Sequence, residues 1–171
     1  KEFMPLLMAF YCLSGPPQTV VNRSQYEYII LEEPEMGLHP LAIQAVILQM
    51  IEFINNGFKV IVSTHSPMLL EFVWAYNCLK KIPEGKRGGA LCELFGIQCS
   101  KNNRKFLKSI FDKDIKTYYF SRNTGGKVQA KDISSLDVFS EDVAINEWGG
   151  LTQFSSKTND VVSKYMAQYG E

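Results

Sequence analysis

The run Tyr28-Ile29-Ile30-Leu31-Glu32-Glu33-Pro34 decides the reading of this chain, together with Val60-Ile61-Val62-Ser63-Thr64-His65-Ser66-Pro67. Each is a short apolar stretch rich in β-branched side chains that stops at polar groups and a proline. Such runs suit strands buried on both faces, as in a parallel sheet. Between them, Pro40 suits the first turn of a helix. Apolar positions 43, 46, 47, 50, 51 and 54 then form one helical stripe. Gly57 is placed to end that helix as the residue beyond its C-cap. Another helix is expected from Met68 to Lys80. Strand, helix, strand and helix with short connections make a βαβ unit, with parallel strands and a right-handed crossover.

Working outward, Met4, Leu7, Met8, Tyr11 and Cys12 recur at helical spacing over Lys1–Leu13, and Gly15-Pro16-Pro17 stops that helix. No N-cap residue precedes it, so the chain reads as opening inside an amphipathic helix of something longer. Beyond residue 83 the pattern weakens. Glu84 to Gly89 reads as a loop, and Leu91–Phe95 and Arg104–Phe111 as short helices. Ile115–Ser121 and Lys127–Ile133 read as strands joined by Asn123-Thr124-Gly125-Gly126, which is good hairpin chemistry. Ser140 is placed to cap a helix through Trp148, with Asp142 in its first turn. A last helix is expected over Lys157–Gln168. The expected class is α/β: residues 1–83 form a lobe with a partial parallel sheet, and residues 84–171 a small α+β extension with a β-hairpin.

The 171 residues suffice for about one domain with a sizeable core. An apolar share of 46% with 21% charged residues excludes a mainly disordered chain. No apolar run approaches the roughly 20 residues of a membrane helix, and no basic start leads to a cleavage site. Four cysteines without a Cys-x-x-Cys pair, and two histidines, make a structural zinc site unexpected. The cysteines read as reduced, buried thiols, with a cytoplasmic location as the default. Net charge is zero but unevenly placed: residues 81–131 hold 12 basic and 4 acidic groups, a net +8. That block reads first as neutralised by the acidic remainder and second as a face for a phosphate backbone.

Ligands of open α/β sheets bind beyond the carboxyl ends of the strands. The first strand delivers Glu32, Glu33 and Glu35 there, and the second Ser63, Thr64 and His65. Adjacent carboxylates at the end of a buried strand are costly unless a cation compensates them, and magnesium with a nucleotide phosphate is one such partner. The bland reading is that these groups cap strand ends and pair with nearby Lys or Arg.

Taken together, the segment from Tyr28 to Pro40, with its Glu-Glu-Pro-Glu and Leu-His-Pro, resembles the Walker B and D-loop segment of ABC-type ATPases. Ser63-Thr-His-Ser-Pro67 resembles their H-loop. This variant is most similar to the AAA-labelled, OLD-like group, many of whose members serve bacterial anti-phage and restriction-like systems. The resemblance covers about residues 1–75. It implies ATP and Mg2+ as the nucleotide and metal. Glu32 stands at the position of the magnesium-organising carboxylate, which is usually Asp. Glu33 stands at that of the carboxylate polarising the attacking water, and His65 at that of the switch histidine. Ser63 stands in the H-loop segment, and the D-loop, from Glu35 to His39, implies contact with a second protomer in a homodimer. By the same resemblance Ser63, Glu35 and His39 join Glu32 as nucleotide-site residues.

Leu13-Ser14-Gly15 looks like the start of the family's signature, but Pro16-Pro17 prevents the helix that must follow it. No Gly-x-x-x-x-Gly-Lys-[Ser/Thr] occurs. The chain therefore resembles the C-terminal half of such an ATPase, needing an N-terminal half that carries Walker A and inactive alone. The expected function is ATP hydrolysis coupled to dimer closure in a defence or DNA-processing complex. The alternatives are a non-hydrolysing ATP-sensing module and an ATPase subunit of a DNA nuclease complex. A third alternative is an SMC-like ATPase head. A nuclease centre within the chain has only Asp112 and Asp114 in its favour. Tyr118, Tyr119, Phe120 and Trp148 read as core before base-stacking platforms.

Overall fold

A computed structural model describes residues 26–169. The expected helix over Lys1–Leu13, the Gly15-Pro16-Pro17 break and the signature-like Leu13-Ser14-Gly15 lie outside the described residues. These divide into two compact units: residues 26–69 with 78–113, and residues 70–77 with 114–169.

The first unit contains the βαβ core. Strand β1 (Tyr28–Glu32), helix α1 (Pro40–Asn55) and strand β2 (Lys59–Ser63) follow one another, and the two strands pair in parallel with Ile29 opposite Val60 and Glu32 opposite Ser63. The α1 boundaries follow from local chemistry. Pro40 opens the helix, and the His39 ring caps it, with Leu41 N–H donating to Nδ1 at 3.3 Å. At the far end Gly57 takes φ +93°, Gly57 N–H donates to Ile54 O and Phe58 N–H to Phe53 O, both at 3.1 Å. This is a Schellman ending with the Phe53 and Phe58 rings edge to face at 6.2 Å.

Alternate β1 residues differ sharply. Ile29 and Leu31 are buried, whereas Ile30 is 74% exposed. Opposite it, Ile61 of β2 is also exposed. The expectation of burial on both faces is thus corrected. Residues 28–31 and 60–62 are apolar, but the described residues cover one face of the pair only. α1 turns Ile43, Val46, Ile47, Met50, Ile51 and Phe53 inward.

Helix α2 (Pro67–Leu79) follows β2, and its stretch Leu70–Asn77 belongs to the second unit. Helices α3 (Glu84–Leu94) and α4 (Lys101–Lys108) complete the first unit, with a 3-10 turn over Ser109–Asp112. The loop expected at 84–89 is therefore a helix, and the short helix expected at 91–95 is its end. Three glycines argue against helix on propensity. Packing overrides that: a Cβ on Gly88 would meet Arg104 O at 2.5 Å, so the missing side chain is what lets α3 approach α4. Asn55 ties α1 to the same layer, donating to Phe106 O at 3.0 Å.

In the second unit, strands β3 (Tyr118–Arg122) and β4 (Val128–Asp132) form the antiparallel hairpin expected from Asn123 to Gly126. Asn123 Oδ1 accepts from Gly125 N–H and Lys127 N–H, and Gly126 takes φ +76°. Helix α5 is a single turn, Val143–Asn146, capped by Asp142 and not by Ser140. Asp142 also pairs with Lys131, which holds its carboxyl below the ordinary range. A 3-10 turn over Trp148–Gly150 leads to α6 (Gln153–Tyr169), longer than expected and exposed throughout. The core joins Leu70, Ile133, Leu136 and Trp148. Of the aromatics weighed for base stacking, Trp148 is core and Tyr119 packs against it, while Tyr118 and Phe120 are exposed.

Candidate functional site

The candidate site lies where β1 and β2 end side by side, because a parallel register brings both carboxyl ends together. Glu32 and Ser63 are the last register pair and both are exposed. The chain then turns sharply. Glu33 N–H donates to Ser63 O at 2.9 Å, and Glu33 takes φ +42°, a left-handed conformation unusual for a side chain larger than glycine. Such residues cost about 1–3 kcal/mol and cluster at functional sites. The turn aims the Glu33 carboxylate at the β2 loop, where Oε1 lies 3.1 Å from His65 Nε2. The histidine ring is 84% exposed and the Glu33 side chain 32%. A neutral imidazole that donates its Nε2 proton to Glu33 leaves Nδ1 as an acceptor and the second Glu33 oxygen free for another donor.

Beneath this pair sits Glu35, 8% exposed. Its Oε1 accepts from the Thr64 hydroxyl and from His65 N–H at 3.2 Å. The Thr64 oxygen in turn accepts from Ser66 N–H at 2.9 Å, and Ser66 Oγ accepts from Met68 N–H at the start of α2. One buried carboxylate therefore fixes the whole 64–66 loop and, through its backbone, the place of His65. Glu35 Oε2 is buried with no hydrogen-bond partner among the described residues. His39 stands apart as the cap of α1.

Apart from His39, the residues named from sequence thus fall into three groups. Glu33 and His65 meet; Glu32 and Ser63 end the strands beside them; Glu35 lies below as a support. Thr64 was grouped with them in sequence without a role, and its hydroxyl is the link between Glu35 and the loop. Thr64→Val removes that donor and leaves the buried carboxylate with one fewer partner. Its expected cost is about 1–3 kcal/mol, read as a lower urea midpoint for the full chain.

Residues 1–71 match the family model described as "AAA domain, putative AbiEii toxin, Type IV TA system". Over 52 residues the chain is 38% identical to the Old nuclease of Escherichia phage P2. That stretch is 30% of this chain but 9% of the relative, so the chain spans a small part of it. No solved structure matches. In this region the chain is thus similar to an AAA-type domain family and to an Old nuclease. None of the described helices is long and apolar enough to cross a membrane.

Proposed function

We propose that this chain is the C-terminal part of an ABC-type, OLD-like ATPase in which ATP hydrolysis drives closure of a homodimer within a bacterial defence or DNA-processing complex, in the cytoplasm. The observation that carries this reading is the 3.1 Å pairing of Glu33 with His65 at the joined ends of two parallel strands. An N-terminal half supplies the phosphate-cradling loop, and the Glu35–His39 turn faces the second protomer.

In this reading Glu33 is the base. Its strained backbone mounts the carboxylate rigidly, His65 Nε2–H holds one oxygen, and the other accepts a proton from the attacking water. His65 orients Glu33 beside the γ-phosphate site. Glu35 and Thr64 are positioning residues that act through His65.

The donor set fits magnesium. Glu32 offers a hard, exposed oxygen at a strand end, and this ion is held by one or two carboxylates with phosphate oxygens instead of a protein cage. Glu32, with Ser63 beside it, would hold the ion, which when bound neutralises phosphate charge.

A second reading, an ATPase subunit of a DNA nuclease complex, has one observation in its favour. A cleft of about 440 Å³ between α3 and α4 is lined by Lys101, Arg104, Lys105 and Lys108 over Gly85, Gly88 and Gly89. These cations suit a phosphate backbone.

The test is steady-state ATP turnover of this chain joined to a segment bearing the P-loop, with and without duplex DNA. His65→Ala is expected to lower kcat by about 10²-fold through misplacement of the base, with ATP still bound. Unchanged turnover in His65→Ala would contradict the role of His65. ATP binding without turnover even in the wild-type assembly would favour a non-hydrolysing sensor. Stimulation by DNA would favour the nuclease-complex reading.

A further inference from the structure

Cys92 and Cys99 bracket the turn between α3 and α4. Cys92 lies in the last turn of α3 and is 1% exposed. Cys99 is exposed and immediately precedes Ser100, the cap of α4. The intervening turn is tied down: Ile97 N–H donates to Cys92 O at 3.0 Å, and Asn103 Nδ2 to Gln98 O at 2.8 Å. The expectation that the cysteines are all buried is corrected here, since Cys78 and Cys99 are exposed; Cys12 lies outside the described residues.

Two groups converge on the Cys99 sulfur. Arg104 Nε donates to Sγ at 3.0 Å, and the Cys92 thiol neighbours the same atom. A guanidinium and a second thiol on one exposed sulfur favour its anionic form. Arg104 first, and Cys92 next, hold the Cys99 thiol below its ordinary range. Burial pushes the Cys92 thiol up, so it stays protonated.

We propose that Cys99 is a peroxide-reactive thiolate with Cys92 as its resolving partner, making the α3–α4 turn a site of reversible disulfide formation. The Cys99 thiolate attacks a hydroperoxide; an S–O bond forms, the O–O bond breaks, and hydroxide (from hydrogen peroxide) leaves to take a proton as water. Sulfur is oxidised to sulfenic acid and the peroxide is reduced. Cys92 then loses its proton and attacks that sulfur. The S–S bond forms, the S–O bond breaks, and a second water departs. Two thiols and one peroxide thus give one disulfide and two waters, and an external thiol reverses the change. Oxidation also removes the anion that Arg104 pairs with, leaving its guanidinium to the cleft it shares with Lys101, Lys105 and Lys108.

The test is peptide mass mapping of the purified full chain after a brief pulse of hydrogen peroxide. The expected product is a Cys92–Cys99 linked peptide, two hydrogens lighter and reversed by a phosphine reductant. Cys92→Ser is expected to leave Cys99 as a sulfenic acid trapped by dimedone. Arg104→Gln is expected to slow alkylation of Cys99 several-fold relative to Cys78 in the same molecule. Cys99 oxidising no faster than Cys78, or linking to Cys12 or Cys78 in place of Cys92, would overturn the proposal. Should Cys92→Ser fail to fold, the wild-type disulfide map and the Cys99-to-Cys78 rate ratio decide alone.

Discussion

If the proposed function holds, Glu33→Gln in the chain joined to a P-loop segment is expected to lower ATP turnover by about 10²–10⁴-fold while ATP remains bound, the usual contribution of a positioned general base. The substitution isolates one property. The amide has the shape of the carboxylate, and its oxygen still accepts from His65 Nε2, which sits 3.1 Å away in the native pair. The backbone bond from Glu33 N–H to Ser63 O is untouched. What is lost is the ability to take a proton. Phosphate release measured beside retained nucleotide separates this from a binding defect. Turnover that survives Glu33→Gln would mean another group is the base, and that the strand-end pair is a sensor or a structural contact.

The largest stability effect is expected at Trp148. Trp148→Ala should cost about 3–5 kcal/mol, the range for truncating a buried large aromatic. The indole is 6% exposed and packs with Leu70, Ile133 and Leu136. Its Nε1–H donates to Leu136 O at 3.2 Å, so truncation also strands a buried carbonyl. Among the described residues this core has four buried members, so the indole is a large share of it. Gly149, at φ +69°, is already so close to Tyr119 that a Cβ would lie 2.6 Å from the ring. Urea unfolding followed at β3–β4 reads the effect. Trp148→Phe keeps much of the volume and should cost less, and equal losses for the two would place the energy in the Leu136 bond instead of packing.

The legible parts of the sequence were those where local and tertiary signals agree. β1, α1 and β2 carry apolar runs, a helix-opening proline and a closing glycine, and each device acts at the residue where it stands. The hairpin was legible for the same reason, through Asn123 and Gly126. The α3 helix was hidden because Gly85, Gly88 and Gly89 oppose helix locally; the close approach of Arg104 O explains Gly88, and nothing in the structure requires glycine at 85 or 89. Burial on one face of β1 was hidden too, since Ile30 is as apolar as Ile29 although one is exposed and the other is not.

The candidate site was legible as residue types at strand ends, but its wiring was not. Glu35 reaches Thr64 across 29 positions, and no periodicity signals such a contact. Nor does composition show that Glu33 adopts a left-handed turn. The roles of Glu32, Ser63 and His39 rest on resemblance, and the geometry adds only that the first two end the strands and the third caps α1.

The most direct measurement is a structure of the complete assembly carrying Glu33→Gln with ATP and magnesium. The side chains at positions 33 and 65 are expected within hydrogen-bond distance of the water in line with the γ-phosphate, and Glu32 on the magnesium shell. A γ-phosphate bound elsewhere, with position 33 turned away from it, would contradict the account.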